Sequence, residues 1–486
     1  MNAPPLLALL ILSPLTCAAV LPLLPTRVAR HATAAGMLVT LALACAAAVA
    51  YDPAGPRFQL LERAPWIPSL NVHWLVGVDG ISVLFLPSTA LLFLGALAAG
   101  WNAVRDAPRL HWGLLLMLQS VTLGIFCALD TMLFFLFWEA TLIPLYFLLG
   151  RWRATAAGGA AATRYLLIML AGGLPLLLGF VVLAAGQPTP TFDFMALAAN
   201  PLPRPAQTAV FLLLLAGFAC KLPLVPLHTW LPQVAVAGPG SLVALLAGLK
   251  VGAYGLIRFA VPLAPDAALD LHWLLAGLGT LTLLYGAVAM VAQSNLRAVV
   301  ACASVCHVGL VVLGVASYSA AGTLGAVSLL LSFVPATGGA FILLEFLRQR
   351  TGSTDVHSLG GAARTMPLLA SGLLVCGLAG VGMPGTSSFP GEIMLILAAL
   401  RGHTGAGLAA LFGLCIAAVA FLNHFRQAFF GPATRPDVLE AEDLVAREWA
   451  VLVALVAIVF TIGLWPAPWL EIVRPAAEAW AAGVLR

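Results

Sequence analysis

Charge is what this sequence lacks most. Over 486 residues only 9% are Asp, Glu, Lys or Arg, while 62% are hydrophobic. An ordinary soluble domain has about 25% and roughly 45–50%, so a soluble fold is excluded. Lysine is scarcer still: of 23 basic residues, only Lys221 and Lys250 are lysine. The sequence also lacks a Gly-rich phosphate loop, a catalytic cysteine, a Ser-His pairing and a metal-spaced ligand cluster, which argues against an independent catalytic centre. The eight cysteines, at 17, 45, 127, 220, 302, 306, 376 and 415, all fall in apolar stretches and read as small core residues. Cys302 and Cys306 share a helix face, but no histidine or carboxylate cluster beside them suggests a metal site. A net charge of +4 spread over such a chain gives no reason to expect a nucleic-acid partner.

Apolar windows fill the rest, and mean hydropathy is +1.04. A spanning helix needs about 20 apolar residues, and lipid leaves the backbone no hydrogen-bond partner outside a helix or closed barrel. The expectation is an all-α polytopic membrane protein of about 14 spans. They fall near residues 5–24, 32–50, 76–100, 108–129, 131–150, 163–185, 207–224, 240–262, 269–293, 297–317, 321–347, 366–400, 405–430 and 447–467. The first segment has no basic region ahead of it and reads as a retained span rather than a signal peptide. Arginines concentrate in the loops after odd-numbered spans: Arg27, Arg30, Arg105, Arg109, Arg151, Arg153, Arg164, Arg297, Arg348, Arg350, Arg364, Arg435 and Arg447. The positive-inside rule makes those loops cytoplasmic and puts both termini on the opposite side.

Against arginine in every loop, the two lysines lie inside spans. Arginine stays protonated, whereas a desolvated lysine can be tuned to release its proton. Glu139, in FFLFWEATLIPLYFLL, and Glu392, in PGTSSFPGEIMLILAAL, are also flanked by long apolar runs. Each ionisable group at a helix centre costs about 2.5–3.5 kcal/mol, so the four point either to proton transfer or to structural ion pairs between helices. Lys221 opens Lys-Leu-Pro-Leu-Val-Pro, and Glu392 closes a segment containing Pro384 and Pro390. Prolines at these spacings interrupt helices. Paired interrupted helices in two halves are a mark of inverted repeats, here spans 4–8 and 9–13, with simple proline kinks as the alternative. His228 and His307 lie at membrane depth with side chains that titrate near neutrality; each is a relay group or a helix-to-helix hydrogen bond.

At these positions the sequence resembles the antiporter-like, proton-translocating membrane subunits of NADH:quinone oxidoreductase, respiratory complex I, and among them the subunit M or chain 4 group. The stretches that carry the likeness are Val78-Asp79-Gly80-Ile81-Ser82, Phe137-Trp138-Glu139, KLPLVPLHTWLP from Lys221 to Pro232, and Leu249-Lys250 with Ala253-Tyr254-Gly255-Leu256. Further on come Ser304-Val305 with His307, Pro384-Gly385-Thr386-Ser387 with Gly391-Glu392, and Arg447-Glu448-Trp449. They run from about residue 70 to 470, and Glu392 favours subunit M over its sister subunit L, where lysine is expected. With the two interrupted helices taken as marking repeats, the chain divides into a three-helix region at 1–105, repeats at 106–262 and 263–430, and a final helix and tail at 431–486.

The resemblance implies roles too. Glu139 and Lys221 would be a paired acid and base, Lys250 the central carrier, His307 a relay and Glu392 the exit-side group. His228 and Thr337 would be possible relays. No cofactor is expected in this chain, since NAD, FMN, iron-sulfur clusters and quinone would belong to partner subunits. L- and N-type antiporter-like neighbours would flank it in a bacterial inner membrane. The sequence departs from the family's pattern after Pro232, where Gln233 to Ser241 replace its usual polar loop, at Arg297-Ala298, and at Phe333, where a second histidine is common. Those departures keep open a pump whose missing relay is replaced by water or Thr337, and a subunit that has lost its channel and only holds an assembly together. A hydrogenase, a cation/proton antiporter or an inorganic-carbon uptake complex would use a similar subunit.

Overall fold

The computed structural model describes residues 5–433 and 435–485. Among them, eleven helical stretches are long and apolar enough to cross a membrane, and the chain is a multi-pass membrane protein. Phe85–Gly100 and Pro367–Gly380 are apolar but shorter. Loop contacts follow the alternation that successive crossings require. Loops after odd-numbered spans meet one another: Arg151 Nε lies 2.9 Å from Asp106 Oδ2, Ala154 N donates to Ala237 O, and Leu296 N donates to Thr354 O. Loops after even-numbered spans meet on the other face: Thr131 N donates to Phe192 O, Gln207 Nε2 donates to Asp266 Oδ2 at 2.8 Å, and the rings of His272 and His403 stack.

The third span begins later than expected. Residues from 76 continue a β-strand, Val72–Val78, that pairs antiparallel with Gln59–Ile67, and the helix starts only at Phe85. The hairpin turns at Asn71, whose φ of 53° suits a residue that tolerates the left-handed region. Glu62 on the first strand accepts hydrogen bonds from Leu7 N at 2.7 Å and Ala8 N at 3.0 Å. It thereby satisfies donors that the first helix leaves unpaired at its N-terminus, where a carboxylate also suits the dipole.

Between hairpin and third helix, Asp79 is fully buried. Its Oδ1 accepts from Ile81 N and Ser82 N, and its Oδ2 accepts from Arg258 Nη1 at 2.7 Å. Arg258 sits on a π-helical turn, Leu256–Ala260, and is 2% exposed. The C-terminal segment, expected as a tail, is a further helix, Ala467–Val484. Its Trp480 donates from Nε1 to Ile257 O at 2.7 Å and stacks on Tyr318, closing over the π-helical turn.

Removing one partner of a buried ion pair costs about 3–5 kcal/mol because the other charge is left uncompensated. Arg258→Ala and Asp79→Asn are each expected to lower the thermal unfolding temperature of the detergent-solubilised protein. The double variant Asp79→Asn, Arg258→Met is expected to melt above either single one, a comparison that a melting series reads directly.

Candidate functional site

A continuous membrane helix consumes its own backbone donors and acceptors, so polar atoms at membrane depth come from places where helices stop. The helix Arg204–Lys221 ends on Lys221 itself, and after Pro223 and Pro226 a new helix runs over Trp230–Ala237. Pro367–Gly380 likewise gives way to Phe389–Gly402, with Glu392 in the opening turn of the second helix. Both interruptions fall where the prolines place them. A further break has no proline: Leu249 (φ −105°, ψ 103°) and Lys250 (φ −89°, ψ 60°) separate Gly240–Gly248 from Val251–Gly255. The eleventh span contains a π-helical turn, Val334–Gly338, which includes Pro335 and Thr337.

Lys221, 8% exposed, reaches back to the fifth span. Its Nζ donates to Trp138 O and Thr141 Oγ1, both at 3.0 Å, and stands 3.9 Å from the centroid of the Trp138 ring. Glu139 lies between those two partners in sequence, yet no ion pair within 4.0 Å joins it to Lys221 among the described residues. The expected acid and base are neighbours without a direct bridge. The Glu139 carboxylate occupies space left by the missing Cβ of Gly173, and its Oε1 has no hydrogen-bond donor among the described residues. A cavity lined by Thr141, Tyr165, Lys221, Trp230, Leu249 and Val251 runs from Lys221 to the residues on either side of Lys250.

Lys250 is 3% exposed, and its Nζ has no acceptor among the described residues. It faces the Phe333 ring, 5.2 Å from the centroid. Beyond Phe333, His307 holds Ala303 O with Nδ1 at 2.8 Å. Its Nε2 lies 3.2 Å from Glu392 Oε1, close enough for an ion pair but off the line a hydrogen bond needs. Glu392 sits where a helix N-terminus favours a carboxylate, over Gly382, whose φ of +71° and absent Cβ leave the carboxylate room. Thr337 shares a small cavity with His307, Ala303, Ala336 and Cys376. His228 is set apart: its ring packs against Tyr285 of the ninth span at 4.5 Å, and among the described residues none of the other five ionisable groups nor Thr337 touches it through a hydrogen bond or ion pair.

Other buried charges are absent from the expected set. Arg297, read as a loop residue, is 1% exposed. Its Nη2 lies 3.3 Å from Glu345 Oε2, which also accepts from Gly240 N at 2.8 Å, and Glu345 Oε1 accepts from Arg348 Nη2 at 2.6 Å. The local signal for Glu345 was its i,i+3 spacing from Arg348; its other partners come from distant parts of the chain.

Residues 128–417 match the family described as NADH:quinone oxidoreductase/Mrp antiporter, TM. NADH-quinone oxidoreductase subunit M from Mycobacterium tuberculosis is 33% identical, with 98% of this chain and 94% of that one covered. NAD(P)H-quinone oxidoreductase chain 4 from Trichormus variabilis is 32% identical over 95% and 88%. A chain of respiratory complex I from Thermus thermophilus with bound NADH superposes with a TM-score of 0.91 at 32% identity, covering 98% of this chain and 99% of that one. Agreement in sequence and in fold over nearly the whole length leads to one conclusion: the chain belongs to the NADH:quinone oxidoreductase/Mrp antiporter transmembrane family.

Proposed function

We propose that the chain is the subunit-M-type proton-translocating membrane subunit of an NADH:quinone oxidoreductase, moving H⁺ while electrons pass from NADH to quinone in neighbouring subunits. One observation carries this reading: Glu139, Lys221, Lys250, His307 and Glu392 all lie inside apolar spans, and two of them, Glu139 through Oε1 and Lys250 through Nζ, have no hydrogen-bond partner among the described residues, while His307 Nε2 and Glu392 Oε1 meet at 3.2 Å. A charge kept for architecture is paired, because an unpaired polar group in low dielectric is expensive. Groups left open are available to water and to a travelling proton.

In this reading the proton passes between Glu139 and Lys221, along the cavity to Lys250, and on through His307 to Glu392. Residues 106–262 and 263–430 serve as the two inverted five-helix repeats, between the three-helix region 1–105 and the C-terminal part 431–486. The fifth and tenth spans then correspond, as do the seventh and twelfth. Glu139 with Lys221 matches His307 with Glu392, acid and base exchanged. Thr337 supports the second half as a hydroxyl beside His307, whereas His228, facing Tyr285, is peripheral. The chain itself carries out no redox step: NAD, FMN, iron-sulfur clusters and quinone sit in partner subunits, and L- and N-type subunits flank it. Loops after odd-numbered spans face the cytoplasm of a bacterial cell and both ends face away, though residues 1–4 and 486 lie outside the described residues. Phe333 favours one competing reading, a scaffold whose channel has been lost.

Removing a positioned proton-transfer group costs about 10²–10⁴-fold. Lys250→Ala, Lys221→Ala and Glu139→Gln are each expected to assemble normally, judged by co-purifying subunits, and to lose most quinone-coupled proton pumping in vesicles. Parent-level pumping in all three would favour the scaffold. Gly382→Ala forces a Cβ onto the Glu392 carboxylate in a backbone conformation that costs of order 1–3 kcal/mol for non-glycine residues. The expected result is a displaced His307 resonance in a histidine-labelled NMR spectrum together with reduced pumping. Gly405→Ala, where a Cβ meets nothing within 4 Å, is expected to change neither.

A further inference from the structure

Phe333 is in reach of both Lys250 and His307. It is 4% exposed. Lys250 Nζ lies 5.2 Å from its ring centroid, and the His307 ring meets it edge-on at 6.4 Å with planes 87° apart. The cavity on the Lys221 side reaches Leu249 and Val251, and the one on the other side reaches His307 and Thr337; Phe333 lines neither. A phenyl ring neither donates nor accepts a proton, but its face attracts a cation. The backbone beside it is poised between two registers. Phe333 O accepts from Thr337 N at 3.0 Å and from Gly338 N at 2.9 Å, the α-helical and the π-helical partner at once. Single π turns inside α-helices are frequent at functional sites.

We propose that Phe333 is an aromatic gate between Lys250 and His307, an inference that rests on the proton-translocating reading above. With the ring in place, Lys250 is held against its face and the two cavities stay separate. When the turn at Val334–Gly338 slips from its shared register toward the α-helical one, the ring swings aside and water joins the cavities. A proton then leaves Nζ, whose N–H electron pair remains on Lys250, and passes along water to the imidazole of His307. The gate acts as a positioning residue: it takes no proton itself and decides when one can cross.

The test uses the whole assembled complex in vesicles loaded with a pH-sensitive dye. Passive proton conductance is read without NADH, and pumping with it. Phe333→Ala removes the barrier and is expected to raise passive conductance several-fold while lowering the protons pumped per NADH. Phe333→His fills similar space with a group that can carry a proton, and is expected to raise passive conductance even if the alanine variant fails to assemble. Parent-level conductance in an assembled Phe333→His complex overturns the gate. A Lys250→Ala arm separates the two claims. If that variant pumps like the parent, the proton-translocating reading fails; if it stops pumping while both Phe333 variants stay tight, only the gate fails.

Discussion

The structure is governed by the cost of placing ionisable side chains in hydrocarbon, and it meets that cost by interrupting helices. An intact helix has few spare backbone groups to offer, while a broken one presents carbonyls, amides and room for water. Lys221 is the last residue of its helix, Lys250 stands in the gap between two, and Glu392 lies in the first turn of another. Glu139 precedes by two positions the Thr141 that joins Thr131–Ala140 to Leu142–Arg151. A lysine in the middle of an unbroken span would have had only apolar side chains around it.

Two kinds of buried charge stand out. Asp79 with Arg258, Glu345 with Arg297 and Arg348, and Glu448 with Arg350 are ion-paired and hydrogen-bonded, and they use arginine throughout. Arginine's planar fork and permanent charge suit such fixed contacts. They join separate spans: Asp79 precedes the third helix and holds the end of the eighth, while Glu345 in the eleventh holds the openings of the eighth and tenth. The second kind uses lysine, glutamate and histidine, and in it Glu139 Oε1 and Lys250 Nζ have neither a hydrogen-bond partner nor an ion pair among the described residues. Rigid pairs frame a row of side chains of titratable type.

Much of this was legible in the sequence because the relevant signals are local. Two lysines inside apolar runs stand out in a chain that otherwise uses arginine, and proline pairs mark the breaks after Lys221 and before Glu392. The break at Lys250 was not legible, since Leu249 and Lys250 leave helical geometry without a proline or a turn motif, held by packing from distant spans. Arg297 reads as a loop charge because it opens a helix, and only the approach of Glu345, 48 residues away, turns it into a buried partner. The end of the hairpin's second strand, residues 76–78, was absorbed into the third span because Val76-Gly77-Val78 is itself apolar and stands a few residues ahead of the apolar helix. Phe333 was visible as a departure from the family pattern, but its place between Lys250 and His307 required the fold.

Whether charge is placed here to travel is tested most directly by locating water. A cryo-EM map of the assembled complex, at a resolution that shows ordered solvent, should reveal water files running from the loop faces to Lys221 and Lys250 on one side and to His307 and Glu392 on the other, meeting at Phe333. A map in which Lys250 is enclosed by apolar side chains, with no water within hydrogen-bonding distance of Nζ and none leading to either aqueous face, would contradict the account.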